Sequence, residues 1–139
     1  IVPGGAIALL DIATRMKAPE KGSADEISGY KIVKNALEAP FKKLIENAGF
    51  ESGQLIAKAR AGASSGQGFD VLSIESVETA TPVDMLKAGI VDPLKVVRAA
   101  VQNAISVATM ILTTEALITD LPEKNPPAPM GMPPGGMDY

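Results

Sequence analysis

Residues 92–112, which read DPLKVVRAAVQNAISVATMIL, decide the fold of this chain. Asp92 followed by Pro93 is typical of a helix start, with the aspartate as N-cap and the proline as the first helical residue. Apolar residues then recur at the three- and four-residue spacing of one helix face: Leu94, Val97, Val101, Ala104, Ile105, Ala108, Ile111 and Leu112. The pattern predicts a long helix over residues 93–119, and its alanines favour close packing in a buried, central position.

Five shorter helices are predicted before it, four of them within residues 6–61. Residues 6–17 carry one apolar stripe at helical spacing, formed by Leu9, Ile12, Ala13 and Met16. The sequence Ser-Ala-Asp-Glu at 23–26 is a capping box that opens a second helix, which runs toward Leu37. The residue before a proline avoids the α region, so Pro40 should break this helix and begin a third that Gly49 stops. A fourth helix is expected over residues 52–61.

The rest of the chain contains little regular structure. Residues 69–74 are the only β-like run and are interpreted as one arm of a small hairpin. The sequence Thr-Pro-Val-Asp at 81–84 is a second capping box, which predicts a short helix ending at Gly89. Residues 122–139 are rich in glycine, methionine and proline, so we expect a disordered tail after a domain of residues 1–121. The predicted fold class is all-α and multihelical.

Composition excludes several kinds of chemistry. The chain of 139 residues has no cysteine, histidine or tryptophan, which excludes disulfides, thiol nucleophiles, Ser-His-Asp triads and His/Cys zinc sites. A net charge of −3 argues against nucleic acid as a partner. No apolar run reaches the roughly 18 residues of a membrane span, so no membrane partner is expected. The lack of cysteine fits a cytoplasmic protein. Because the sequence begins at Ile1, we expect a fragment, a domain or a processed product.

Three positions are candidates for ligand contacts. Gly4 and Gly5 precede a helix and either form a structural turn or let backbone amides approach an anion. Asp92 is either an N-cap or an acceptor for a sugar hydroxyl. Asp70 is most simply a turn residue. No pair of carboxylates at a defined spacing marks an acid–base couple, so these residues alone give no support for catalysis.

In addition, nearly the whole chain resembles the C-terminal part of group I (GroEL-type) chaperonins. The matching stretches occur in the family's order: 2–9 (VPGGAIAL), 32–40 (IVKNALEAP), 45–49 (IENAG), 68–70 (GFD), 84–93 (DMLKAGIVDP), 107–116 (VATMILTTEA), 119–124 (TDLPEK) and 135–139 (GGMDY). The resemblance implies the second half of the equatorial domain, which binds ATP and holds the double heptameric ring together. It also implies that the tail projects into the central cavity.

The resemblance carries specific roles onto this chain. It implies that Gly4, Gly5, Ile90 and Asp92 line the nucleotide pocket, with Asp92 near the ribose. It further implies that the adenine side of this pocket is formed by Asp70, Val71 and Leu72. It also implies that Lys42 and Glu51 belong to a ring-to-ring contact surface. The residues alone equally fit a solvated surface for Lys42 and Glu51. The sequence departs from the family's pattern between residues 70 and 92, where the segment is longer than usual and Val71 and Leu72 replace small residues.

By the same resemblance, the complete protein is an ATP-dependent chaperonin that assists protein folding. Its implied partners are identical subunits in heptameric rings, a co-chaperonin and unfolded client proteins. Its cofactors are ATP or ADP, with Mg and K ions held mainly by the N-terminal half. The phosphate-binding Gly-Asp-Gly-Thr-Thr loop and the catalytic aspartate lie in that half, so this segment alone is expected to be inactive. Two alternatives stay open: a stand-alone helical interaction module without ATPase activity, and a small nucleotide-binding protein using Gly4, Gly5 and Asp92.

Overall fold

A computed structural model describes residues 1–61 and 65–121. Five helices and four very short strands occur in these residues, in the order β1 (Val2–Pro3), α1 (Ile7–Arg15), α2 (Ala24–Ala36), α3 (Ala39–Asn47), α4 (Ser52–Ala61), β2 (Gln67–Gly68), β3 (Val83–Asp84), β4 (Val91–Asp92) and α5 (Leu94–Leu112). The strands form two antiparallel pairs, β1 with β4 and β2 with β3. The helix-rich architecture confirms the predicted all-α class. The predicted tail, residues 122–139, lies outside the described residues.

The starts of α2 and α3 follow the sequence signals. The Ser23 hydroxyl accepts from the Glu26 amide at 3.2 Å, and the Glu26 carboxylate accepts from the Ser23 amide at 2.7 Å. This is the predicted capping box, which satisfies two amides that the helix leaves unpaired. The chain breaks after Ala36 as expected, and α3 begins at Ala39, so that Pro40 is its second residue rather than its first.

A small aliphatic and aromatic core holds α1, α3 and α4 together with the loop that contains β2 and β3. Its buried members are Ile7, Leu10, Phe41, Ile45, Leu55, Ile56, Phe69, Ala80 and Met85. The buried face of α1 consists of Ile7, Leu10 and Ala13, whereas Ile12 is 49% exposed. Of the predicted stripe, Ala13 is buried, Leu9 and Met16 are partly buried, and only Ile12 is exposed. The stripe missed Ile7 and Leu10, which are buried because α1 turns its Ile7 side toward Gly68 of the loop.

Two local predictions between residues 69 and 89 were wrong. Residues 69–74 do not form a strand, because the Asp70 carboxylate accepts from the Leu72 amide at 3.1 Å and closes a turn. The strand instead comprises Gln67–Gly68, paired with Val83–Asp84. Residues 85–89 are not a helix but a turn, in which the Ala88 amide donates to the Asp84 carbonyl at 2.9 Å and Gly89 adopts a φ of 75°.

The long helix α5 differs from its prediction at both ends. It begins at Leu94, with Pro93 in the N-cap position, and no side chain caps it. Asp92 lies before it in β4, so the predicted N-cap role is wrong. The helix ends at Leu112, not near residue 119. There the hydroxyls of Thr113 and Thr114 donate to carbonyls three residues back, at 2.9 and 2.8 Å, and compete with helical hydrogen bonding.

No residue of α5 is buried among the described residues, which contradicts the predicted central position. Its apolar side chains are largely exposed, with Ile111 at 61% and Leu112 at 85%. By its length of 19 residues and a mean hydropathy of 1.2 over an 18-residue window, α5 also meets the minimum for a helix that crosses a membrane. In this respect α5 departs from the expectation that no apolar run is long enough to span a bilayer. Core helices of water-soluble proteins meet the same minimum, so the property alone carries little weight.

Candidate functional site

The pairing of β1 with β4 brings together two predicted site segments from distant parts of the chain. Val2 pairs with Asp92 and Pro3 with Val91. Directly after β1, the Gly4 amide donates to the Ile90 carbonyl at 2.9 Å. Four of the predicted pocket residues therefore lie in one place, namely Gly4, Gly5, Ile90 and Asp92.

Glycine is required at Gly4 because of this close approach. A Cβ atom there would lie 2.9 Å from the Ile90 carbonyl carbon and 2.9 Å from the Val91 nitrogen. Both are backbone atoms, which cannot rotate away as the end of a side chain can. Gly5 has a different requirement, since its φ of 62° belongs to the left-handed region that glycine tolerates best. The structural-turn interpretation of this pair is thus confirmed, and its ligand role stays a prediction.

The first turn of α1 directly follows these glycines. Ala6, its N-cap residue, has a φ of 61° and provides no side-chain cap. The amides of a first helical turn have no partner within the helix, and the helix dipole makes that end favourable for negative charge. A nucleotide phosphate is the kind of group that such a helix end accepts.

The carboxylate of Asp92 fits a role in ligand binding better than a role in capping. Asp92 is half-buried at the end of β4, and its side chain makes no hydrogen bond to the helix that follows. A carboxylate is an acceptor, and it can receive hydrogen bonds from the hydroxyls of a sugar. The chemistry of Asp92, one strand pair away from the Gly4 turn, therefore fits a ribose.

The turn at residues 70–72 is fixed by its own contacts. Asp70 accepts from the Leu72 amide, Val71 packs partly buried against the core, and Leu72 is 94% exposed. The preceding residue, Phe69, is buried with its ring centroid 6.5 Å from that of Phe41. The core thus anchors the start of this turn, while its predicted adenine-side role stays a prediction.

Asp11, which the sequence analysis did not single out, attaches the loop before β2 to α1. Its Oδ2 atom accepts from the Gly66 amide at 2.7 Å and from the Ser65 hydroxyl at 2.8 Å. Gly66 has a φ of 85°, and its carbonyl accepts from the Met85 amide at 3.1 Å. These two hydrogen bonds connect Asp11 with residues that follow it by 54 and 55 positions. No local sequence pattern indicates a contact of this kind.

The two predicted ring-contact residues each have a role within this chain. The Lys42 ammonium lies 3.7 Å from Glu38, which is only 5% exposed and also pairs with Arg60. Glu51 caps the start of α4, since its carboxylate accepts from the Gly53 amide at 2.9 Å and from the Gln54 amide at 3.1 Å. The contact of the buried Glu38 with Arg60 was missed because it joins α3 to α4 across 22 positions, whereas the four-residue spacing from Glu38 to Lys42 is a pattern that the sequence itself shows.

The Asp84 carboxylate, in the segment that leads to Ile90, has a pKa below its ordinary value. The Lys87 amide donates to its Oδ1 atom at 3.1 Å, and this hydrogen bond is the largest cause that lowers the pKa of Asp84. The nearby Lys87 ammonium, 3.5 Å away, acts in the same direction. These contacts attach the Asp84 side chain to the turn that leads to Ile90.

On another side of the molecule, an apolar groove of about 430 Å³ lies between α2 and α5. Its lining is almost entirely hydrocarbon and includes residues from α1 and α3 as well: Leu9, Ile32, Val33, Ala36, Leu37, Pro40, Ala100, Val101, Ala104, Ile105 and Ala108. The middle of the predicted α5 stripe, from Val101 to Ala108, therefore lines this groove, whereas the two ends of the stripe do not. Apolar surface of this kind usually marks a place where another protein surface packs.

Residues 1–122 match the model of the TCP-1/cpn60 chaperonin family. The match covers most of the chain, and it includes both segments that meet at Gly4 and Ile90. The chain therefore belongs to this chaperonin family.

Proposed function

We propose that this chaperonin-family chain is the C-terminal half of an equatorial, ATP-binding domain, formed by residues 1–121. In the complete protein it contributes walls of the nucleotide pocket and contacts between subunits of a heptameric ring. The ring assists the folding of client proteins together with a co-chaperonin. We place the protein in the cytoplasm.

The contact between Gly4 and Ile90 is the observation that supports this proposal most. It joins two segments that the family resemblance assigns to one pocket, and it precedes the start of α1, where no side chain caps the helix and the Ile7 amide donates to the Gly4 carbonyl. Donors suited to phosphate thus lie near an acceptor suited to ribose hydroxyls, which is the combination that a nucleotide requires.

Turnover is assigned to the complete protein, not to this segment. Hydrolysis of ATP needs a charge clamp on the phosphates and a positioned water, and a bound Mg ion supplies part of that clamp. The family's phosphate-binding loop and catalytic aspartate lie in the N-terminal half. The residues of this chain would hold the ribose and turn backbone amides toward phosphate, and the Mg and K ions would be bound mainly elsewhere.

The open groove supports the view that another part of the protein packs against this chain. In that arrangement the N-terminal half of the domain covers the exposed apolar faces of α2 and α5. The same exposed surface favours a second candidate, a stand-alone helical interaction module without ATPase activity. The two candidates differ in whether ATP binding depends on Asp92.

Substitution of Asp92 provides the test. In the full-length protein that contains this chain, we expect D92N to weaken ATP binding about tenfold, because a hydrogen bond to a charged acceptor contributes about 1.5–3 kcal/mol. The matched control is D120N, which removes the same charge from an exposed residue outside the helices. Equal ATP affinity of D92N and wild-type protein would reject the pocket. Absence of ATP binding by the wild-type protein would favour the interaction module.

A further inference from the structure

Lys58 makes an unusual set of contacts with the loop that joins the two sides of the proposed pocket. Its ammonium donates to three backbone carbonyls, those of Val77 at 2.7 Å, Glu78 at 2.6 Å and Ala80 at 3.1 Å. A lysine ammonium has three N–H donors, so these three acceptors satisfy it completely. Hydrogen bonds from a charged donor are about twice as strong as neutral ones.

The helix that carries Lys58 is well fixed. Leu55, one turn earlier on α4, is completely buried, and Ala59 packs against the same core. The backbone of Lys58 is therefore held in place by the core. A long side chain on a fixed helix can hold a loop in position through its hydrogen bonds.

The loop has the complementary shape. The Ala80 amide donates to the Ser76 carbonyl at 3.1 Å, which closes a turn, and Ala80 itself is only 8% exposed. The turn directs three carbonyls toward one point, where the Lys58 ammonium lies. Such a convergence of carbonyls without a cation would be electrostatically unfavourable, because the carbonyl dipoles repel one another.

The position of this turn along the chain relates the Lys58 contact to the proposed nucleotide pocket. Residues 76–80 lie between the Asp70–Leu72 turn and the Ile90–Asp92 segment. A longer loop has more conformations, and fixing its middle restricts both ends. Lys58 ties this middle to α4.

We infer that Lys58 is a positioning residue for the nucleotide, which acts by clamping the 76–80 turn to α4 and so fixes the two loop ends that flank the pocket. This inference rests on the proposed function. Lys58 itself touches no ligand in this scheme, and its effect passes through the backbone of the loop. The specific consequence is that its removal changes ATP affinity more than it changes the rate at saturating ATP.

The test uses the assembled full-length protein with K58M, which keeps the length of the side chain and removes its charge. We expect the amides of residues 76–80 to exchange hydrogen about tenfold faster or more in K58M, because the clamp consists of charged hydrogen bonds. We expect the KM for ATP to rise by a similar factor, with kcat nearly unchanged. K58R, which can again donate to several carbonyls, should restore most of both properties.

A matched control is available on α2. The Lys34 ammonium donates to one backbone carbonyl, that of Met16, at 3.3 Å, so K34M removes a comparable charge from a tether elsewhere. K34M should leave both the loop exchange and the KM unchanged.

The outcomes are separable. Unchanged exchange at residues 76–80 in K58M would overturn the clamp itself. Faster exchange with an unchanged KM would overturn the positioning role and leave the proposed function intact. Wild-type protein that neither binds nor hydrolyses ATP would overturn the proposed function and, with it, the positioning role, whereas the exchange data would still report on the clamp. Faster exchange, a raised KM and rescue by K58R together would support the inference.

Discussion

Replacement of Gly4 by alanine tests the packing at the centre of the candidate site. The new Cβ would lie 2.9 Å from the Ile90 carbonyl carbon, 2.9 Å from the Val91 nitrogen and 3.0 Å from the Ile90 oxygen. Ordinary contacts of a Cβ are about half an ångström longer or more. Since all three neighbours are backbone atoms, relief requires β1 and β4 to move apart. The substitution therefore breaks the contact that joins the two halves of the site.

The magnitude follows from two contributions. Overpacking in a tightly packed place costs about 1–3 kcal/mol, and loss of the hydrogen bond from the Gly4 amide to Ile90 costs about 0.5–1.5 kcal/mol. We therefore expect G4A to lower the free energy of unfolding by about 2–4 kcal/mol. Because the movement also displaces Asp92, ATP binding should weaken in the same variant.

The assay is urea-induced unfolding of the purified protein, compared with the matched variant G29A. Gly29 lies inside α2, and a Cβ there would meet no atom within 4 Å. An alanine in a helix interior is more favourable than glycine by about 0.5–1 kcal/mol, so G29A should stabilise the protein. The two glycine-to-alanine changes should thus have opposite signs. A loss of less than about 1 kcal/mol in G4A, the typical effect of any substitution, would refute the reasoning.

Three further predictions concern stability. The Lys87 amide lowers the pKa of Asp84 in the folded protein. The Asp84 carboxylate therefore contributes fully to the free energy of unfolding above the ordinary carboxyl pKa of about 3.9, and this contribution is lost as the pH falls through the lowered pKa. Removal of the carboxylate in D84N should accordingly flatten the decline of stability below about pH 4. Identical acid unfolding curves of D84N and wild type would contradict this. R60M leaves the buried Glu38 with Lys42 as its remaining cationic partner. We expect this substitution to lower the free energy of unfolding, measured by thermal or urea unfolding, by about 1–3 kcal/mol. The loss is smaller than for a fully buried ion pair because Arg60 is partly exposed. No measurable loss in R60M would show that the pair is not stabilising. The Tyr30 hydroxyl is buried without a partner among the described residues, so Y30F should leave stability unchanged or raise it by up to about 1 kcal/mol, and a clear loss would mean that the rest of the protein supplies a partner.

Local signals in the sequence predicted the helices well where a single side chain determines the start. The Ser23–Glu26 box and the break before Pro40 depend only on neighbours in the chain, and the structure confirms both. The same kind of signal was misleading around Asp84. A serine or threonine three residues before an acidic residue resembles a helix start, but the Asp84 side chain caps a single turn instead.

The face of an apolar helix is predictable, whereas what covers it is not. The middle of the α5 stripe lines the groove, yet no residue of α5 is buried within the described part of the chain. Periodicity reports which side avoids water, and it cannot show whether the covering surface lies in the same segment. The strands were missed for a related reason, because two-residue pairs such as Val2 with Asp92 are too short to have a pattern.

The residues alone indicated Gly4, Gly5 and Asp92 as candidates for ligand contacts, and only the family resemblance assigned them, together with Ile90, to one pocket. The structure brings these four residues together through the pairing of β1 with β4. The contacts of Asp11 and Lys58 were not predicted, since each joins elements far apart in sequence and neither belongs to a motif. Long-range polar contacts of this kind depend on the fold and become visible only in the structure.

The native mass of the natural gene product, measured in cell extract with and without ATP, tests the central claim most directly. We predict a particle of many subunits, each several times heavier than the 14.4 kDa of this chain, whose assembly or conformation responds to ATP. A particle built only from 14.4 kDa chains, with no response to ATP, would contradict the claim that this chain is part of an ATP-dependent chaperonin ring.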